Sequence, residues 1–402
     1  MTPASPGEDT ASAPHPAQRR VYIDHAATAP LRTEARDAFL DASALPGNPT
    51  SRHGSGRRAR GVLDDALDSL AASLDVPVSW LTLTSGGTEA DNLAVRGAAL
   101  AAQAADPARR AVAVCATDHP AVLETARSLA PGIEAREIPV DRDGLLDLDA
   151  LREALAPGDV SVVSVALVNN ETGVIQDLAA ITEIAHAAGA LVHTDAVQAT
   201  SHVELPVRTV DMLSLTGHKI GAPVGVGLLV VRPDIPFVAG LTGGGQQRGV
   251  RPGTLDAPHT ASLAAALEAT LADREAESAR LGEMAQRLRA GIRETAPDAV
   301  LTAADAPRSP HVVHVLLPGC DQDALLLMLD QQGIDASAGS ACSAGVTQAS
   351  HVLTAMGVEP ELARGALRLS LGWSSREDDV DRVLAALPEA IERARAVGAL
   401  VR

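Results

Sequence analysis

Leu191-Val192-His193-Thr194-Asp195 and, further along, Met212-Leu213-Ser214-Leu215-Thr216-Gly217-His218-Lys219 decide the fold. Both are short, mostly apolar runs that close on polar residues. Runs of this length, bounded in this way, read as buried strands. Working outward, similar runs occupy residues 80–84, 111–116, 160–168 and 226–231. Segments with helical spacing lie between them at 57–74, 89–105, 121–129, 148–155 and 178–188. Strands alternating with helices predict a largely parallel α/β sheet covered by helices on both faces.

The pattern changes after about residue 255. A charged helical stretch at 260–295 suits one helix, or two with a break. A strand (312–317), a helix (324–332), a Gly/Ser/Ala loop, a helix (350–356), a strand (366–370) and a final helix follow. These predict a smaller α+β domain. Residues 1–20 are rich in Pro, Ala and Ser and predict a flexible tail. There is no internal repeat.

Composition excludes several functions. Of 33 Lys plus Arg residues one is a lysine, Lys219. An Ala-, Arg- and Gly-rich chain suggests GC-rich coding, which accounts for the missing lysines but not for where the remaining one sits. Arginine cannot replace it where a neutral amine is needed, because the guanidinium stays protonated. A net charge of −18 argues against sequence-independent nucleic-acid binding. Five aromatics (Tyr22, Phe39, Trp80, Phe237 and Trp373) are too few for a base-stacking platform. No apolar run reaches the roughly 18 residues of a membrane helix. The first 20 residues have no apolar centre of a secretory signal, and three cysteines form no disulfide framework. A cytoplasmic location is expected.

Four segments carry chemistry. Thr84-Ser85-Gly86-Gly87-Thr88-Glu89 runs from a strand through two glycines into a helix. It reads either as a phosphate cradle at a helix start or as an ordinary N-cap. Asp195 closes a buried strand, where open α/β sheets place ligand groups. It reads either as the partner of a cationic ring nitrogen or as an exposed loop residue. Lys219 follows Asp195 by 24 positions on the next strand's end. A lysine that holds an aldehyde as a Schiff base and an aspartate that keeps a pyridine ring protonated are what a pyridoxal phosphate site needs. Cys342 sits in Ser340-Ala341-Cys342-Ser343-Ala344-Gly345, a small-residue loop suited to an accessible thiol, or to a residue packed in a loop. Cys115, inside an apolar strand, reads as inert core. Cys320 reads as a turn residue whose acidic neighbours raise its pKa. His119, in Asp118-His119-Pro120, reads as a structural histidine or as an imidazole that stacks on a cofactor ring.

The ordered set Asp24-His25-Ala26-Ala27-Thr28, Gly47-Asn48-Pro49-Thr50-Ser51, 84–89, His119, Val168-Asn169-Asn170-Glu171, 195–198, Gly217-His218-Lys219, Gly243-Gly244-Gly245, Arg251-Pro252-Gly253-Thr254, Ser340-Ala341-Cys342 and Arg368-Leu369-Ser370-Leu371-Gly372 resembles the cysteine desulfurases of the NifS/IscS type. These belong to the class V aminotransferase-like group of fold-type I pyridoxal phosphate enzymes. The resemblance implies a large domain (33–262) with a mostly parallel seven-stranded sheet. It also implies a small domain (263–402) carrying a catalytic loop at about 336–349, and a segment 21–32 that joins the small domain.

It further implies that Lys219 holds the cofactor and moves the substrate proton, that Asp195 pairs with the ring nitrogen, and that Gln198 bonds the phenolic oxygen. His119 would stack on the ring and shuttle protons. Asn170 would lie beside ring and substrate. Gly87, Thr88, Thr216 and His218 would cradle the phosphate, and Thr254 would reach the phosphate of a partner subunit in a homodimer. Arg368 would clamp the carboxylate of L-cysteine, and Cys342 would take its sulfur as a persulfide, with Gly339 and Gly345 as hinges. The sulfur would pass to an acceptor protein, a tRNA thiolation enzyme or an iron–sulfur scaffold, without direct nucleic-acid or membrane contact. A selenocysteine lyase, a class V aminotransferase and a non-catalytic partner on the same fold are the alternatives. Two departures stand out. Thr242 and Gln247 replace a His and a Glu common in the group, and they are expected to tune a partner-facing loop.

Overall fold

The computed structural model describes residues 19–339 and 350–400. From the N-terminus, β1 (Val21–Tyr22) is followed by α1 (Thr33–Ser43) and α2 (Gly54–Ser73). Next come β2 (Leu81–Thr84), α3 (Gly87–Asn92) and α4 (Ala98–Ala105), the last two linked by a wide helical turn at Leu93–Gly97. Then β3 (Ala111–Cys115), α5 (Pro120–Arg127), β4 (Glu134–Ile138), α6 (Leu148–Leu155), β5 (Val160–Ser164), α7 (Leu178–Ala187) and β6 (Leu191–Asp195) alternate. β7 (Met212–Thr216) and β8 (Gly227–Val231) complete this part.

The second part opens with α8 (Ala257–Thr295), a single helix of 39 residues. β9 (Val300–Leu301), β10 (Val312–Leu316), α9 (Gln322–Gln331) and β11 (Ile334–Asp335) follow. α10 (His351–Ala355), α11 (Pro360–Ala363), β12 (Ala366–Ser370) and α12 (Glu377–Leu400) end the described chain.

The large sheet has seven strands in the order β2-β8-β7-β6-β5-β3-β4. β8 runs antiparallel to β2 and β7, and the other pairings are parallel. β3, β5, β7 and β8 are buried along their whole length, which is why they read as continuous apolar runs. β4 (Glu-Ala-Arg-Glu-Ile) is a half-exposed edge strand. Its charges protect the edge and hid it from the sequence reading.

Helix starts are capped by short polar side chains. Asp147, Asp177, Asp256 and Asp321 accept from amides at the starts of α6, α7, α8 and α9. Aligned parallel strands put their carboxyl ends at one edge, so the loops after β2, β3, β5, β6 and β7 meet there.

The second part has its own antiparallel sheet, β12-β10-β9, with β1 pairing in parallel with β11. Its core includes Val21, Ile23, Leu281, Leu288, Leu369 and Val383. α8 serves both cores: Leu263 and Leu267 pack against the large sheet, Leu281 to Ile292 against the small one.

Candidate active site

The loops at the carboxyl edge of the large sheet enclose a cleft. Gly87 and Thr88 after β2, His119 after β3, Asn170 after β5, Asp195 and Gln198 after β6, and Thr216, His218 and Lys219 after β7 all line it. Nine residues singled out in the sequence therefore converge, drawn from five separate loops. The register brings Asp195 opposite Ser214, so β6 and β7 present their last residues side by side.

Lys219 ends a short 3-10 turn, Gly217–Lys219, directly after β7. Its Nζ donates to the Ala26 and Ala27 carbonyl oxygens at 2.6 Å each. Burial, with Arg368 nearby, lowers its pKa to about 8, only partly opposed by Asp24 and Asp195. A much larger fraction of this amine is therefore neutral near pH 7–8 than for a solvated lysine.

Asp195 is buried, and its Oδ1 accepts from the Val197 amide at 2.8 Å. Burial raises its pKa, partly opposed by the Val197 amide and by His119 and Lys219. A carboxylate so deep takes its charge fully only beside a cation. Asp91 on α3 also lines the cleft, and its buried Oδ1 has no hydrogen-bond partner among the described residues. Burial raises its pKa first and repulsion from Asp195 adds to that.

The His119 Nδ1 accepts from the Ala121 amide at 3.1 Å and so caps α5. That bond leaves Nε2 as the N–H of the neutral ring. The residue is exposed and lines the cleft, yet the surrounding protein displaces enough water to lower its pKa. Gln198 gives one amide hydrogen to the Ala26 oxygen at 2.9 Å, sharing that acceptor with Lys219. Gly87 packs so closely that a Cβ there would lie 2.9 Å from Val197 Cγ2. Backbone can approach a ligand at this helix start where a side chain could not.

Arg368 reaches the same region from the other sheet. It sits on β12 opposite His314, buried, with Nη1 donating to the Asn170 oxygen at 2.9 Å and Nη2 to Asp24 Oδ1 at 2.8 Å. Its Nε is buried without a partner among the described residues, and Arg368 meets the cleft through Asn170 rather than lining it itself.

Several expectations need correction or lie elsewhere. Cys342 and Gly345 fall outside the described residues, while Gly339, at φ +98°, is the last described residue before them. Thr254 is exposed and is not among the residues that line the cleft. Gln247 does not face outward to tune a loop. Its Oε1 accepts from the Leu83 amide at 2.6 Å and its Nε2 donates to the Leu83 oxygen at 2.9 Å, so it pairs with β2 as a strand would. A Glu could make only the first of those bonds. Cys320 is buried in the second core, and burial rather than its acidic neighbours is the main cause of its raised pKa. Cys115 is buried as expected, with its thiol pushed up to about 12. Asp24 and Asp91 were missed as site residues. Asp24 is visible in the sequence only as part of a motif, and its pairing with Arg368 spans 344 positions.

The sequence pattern of the class V aminotransferases matches residues 21–383, a span that holds every residue lining this cleft, from Ala26 to Lys219. The chain is 42% identical over 380 residues to an IscS-like cysteine desulfurase of Mycobacterium tuberculosis, covering 93% of this chain and 97% of that one. It is 37% identical to the cysteine desulfurase NifS of Azotobacter vinelandii, covering 94% of each. A NifS-like protein of Rickettsia africae superposes with a TM-score of 0.84 at 26% identity, covering 93% of this chain and all of that one. The chain belongs to the cysteine desulfurases of the class V aminotransferase family.

Proposed function

We propose that the cleft holds pyridoxal 5'-phosphate and that L-cysteine is the substrate, its sulfur passing to Cys342 as a persulfide. The donor set fits that cofactor: the lone lysine with lowered pKa, the buried Asp195 facing it, and the Gly87 cradle. The convergence of Lys219 and Asp195 at adjacent strand ends is the observation that carries the reading. Asp195 would hold the ring nitrogen, Gln198 the phenolic oxygen, His119 the ring face, and Gly87, Thr88, Thr216 and His218 the phosphate. Bound pyridoxal phosphate supplies the electron sink that makes the substrate Cα proton removable.

Lys219, neutral through burial, takes that proton. Arg368 orients the carboxylate, and Asn170, whose carbonyl already accepts from Arg368, lies beside it. The Cys342 thiolate attacks the substrate sulfur: an S–S bond forms, the C–S bond breaks, and the electron pair stays on carbon. Protons from His119 and Lys219 then complete L-alanine. Thr254, exposed, would serve the cleft of a second copy in a homodimer. We assign residues 33–262 and 263–402 to two domains and the enzyme to the cytoplasm. Among the described residues no helix is long and apolar enough to cross a membrane.

Alkylation of enzyme treated with L-cysteine, followed by mass spectrometry, should find the persulfide on Cys342 with one alanine per sulfur. A Cys342→Ala variant that kept full sulfide release would overturn the reading. Incubating the persulfide form with a tRNA thiolation enzyme and with an iron–sulfur scaffold then identifies the acceptor.

A further inference from the structure

Lys219 borders two spaces. One is the cleft. The other is a small, partly open chamber of about 30 Å³, room for one or two water molecules. Lys219, Gln198 and Val197 line both, so they form the partition between them. The chamber's walls also carry two buried histidines, His25 and His311, the partly exposed His202, and Glu277 on α8. None of these histidines takes part in the chemistry assigned to the cleft.

Buried imidazole nitrogens are costly unless they are satisfied. His202 and His311 stack with ring centroids 3.9 Å apart and planes 15° from parallel. His311 Nδ1 bonds Ser309 Oγ at 2.6 Å, and His25 Nε2 bonds Ser374 Oγ at 2.9 Å. His202 Nδ1 is buried and has no partner among the described residues. A chamber water is the partner that would satisfy it.

Burial holds all three rings neutral, pushing His25 down to about 4 and His202 down to about 3. A neutral imidazole has one donor and one acceptor nitrogen, so it can accept a proton on one side while releasing another, with no lasting charge. The charges that face the chamber are Lys219, Arg32 and Glu277, the last paired with Arg280 at 2.8 Å. The Glu277 side chain is 25% exposed, so it joins the chamber wall to solvent.

We propose that this chamber holds water and carries protons between Lys219 and solvent at Glu277, by way of His202 and its neighbouring imidazoles. The inference rests on the desulfurase reading for the source of the proton. Lys219, having taken the substrate Cα proton, passes one proton to a chamber water. That water protonates an imidazole, which releases its other N–H proton toward Glu277, and Glu277 yields a proton to bulk water. A solvent proton returns to Lys219 by the same path before L-alanine is completed, so the exchange loses no net proton and no bond between heavy atoms changes. Such a rear path lets Lys219 exchange its proton while cofactor and substrate fill the cleft in front.

The test uses the full-length, cofactor-loaded enzyme with Glu277→Gln, at the outlet, and His202→Gln, in the chamber wall. L-cysteine with protium at Cα is turned over in D2O, and the alanine is analysed for protium kept at Cα. Both variants should raise that retained fraction at least about threefold, because the abstracted proton stays on Lys219. Slower turnover from mere structural damage would allow more exchange and lower the fraction. An unchanged or lower fraction in both variants overturns the proposal.

A second readout needs no turnover. After a pH jump, the absorbance change of the loaded enzyme should relax about tenfold more slowly in both variants. If no alanine forms at all, the desulfurase reading fails, and this relaxation alone decides the proton path. Equal relaxation in wild type and both variants overturns it.

Discussion

The two walls of the cleft are assembled differently. The first is made by neighbouring strand ends: Asp195 closes β6, Thr216 closes β7, and Lys219 follows within one turn. Its geometry is set by a ladder that a few consecutive residues define. The second wall brings Arg368 from β12 against Asp24 from the N-terminal segment and Asn170 from the loop after β5. It depends on contacts between distant parts of the chain, held by charge and hydrogen bonds. A wall fixed by local strand geometry suits bond-making, where placement matters most. A wall built from an ion pair suits recognition of a charged substrate.

The comparison can be broken, starting with the largest effect. Lys219→Arg keeps the positive charge but removes the one ε-amine in the chain. Alanine production from L-cysteine should fall by about 10³-fold or more. Near-normal turnover would show that the strand-built wall does no chemistry. Arg368→Lys tests the other wall. It loses the planar fork, and KM for L-cysteine should rise about 10²-fold with kcat little changed. A fall in kcat with KM intact would merge the two walls into one role.

pH sharpens the contrast. The amine must be neutral to attack an aldehyde, and burial lowers the Lys219 pKa to about 8. The rate at which cofactor-free protein takes up pyridoxal phosphate should rise with pH and level off above about 8. A rise that continued toward 10.5, the ordinary lysine value, would mean that this wall is as wet as bulk solvent. The smallest effect belongs to Gln247, which braces β2 just before Gly86 and Gly87. Gln247→Glu should cost about 1–2 kcal/mol in thermal or denaturant unfolding, because the carboxylate cannot donate to the Leu83 oxygen and meets it as a like partial charge. No change in stability would place the brace outside the folding balance.

The same contrast explains what the sequence disclosed. β6 and β7 were legible to the residue, since their burial on both faces leaves a continuous apolar signature. Lys219 stood out because no other lysine competed with it. The edge strand β4 was missed because its charges look like loop composition, and β1, β9 and β11, at two residues each, carry no periodicity at all. The helix after residue 255 could have been one or two, and packing on two successive cores makes it one. Asp24 was visible as part of a motif, but its pairing with Arg368 is purely tertiary. The histidine chamber gave no signal, because His25, His202 and His311 come from three distant segments.

α8 has a mechanical consequence. It is a beam clamped at both ends, by Leu263 and Leu267 in one core and by Leu281 to Ile292 in the other. Between the two cores, the span from Leu271 to Leu281 is held less by apolar packing than by hydrogen bonds from Arg274 and Ser278 to the Val203 and His202 oxygens. Glu277 lies on that span and lines the histidine chamber. Flexing the beam therefore deforms the chamber before it disturbs the strand ends that carry Asp195 and Lys219.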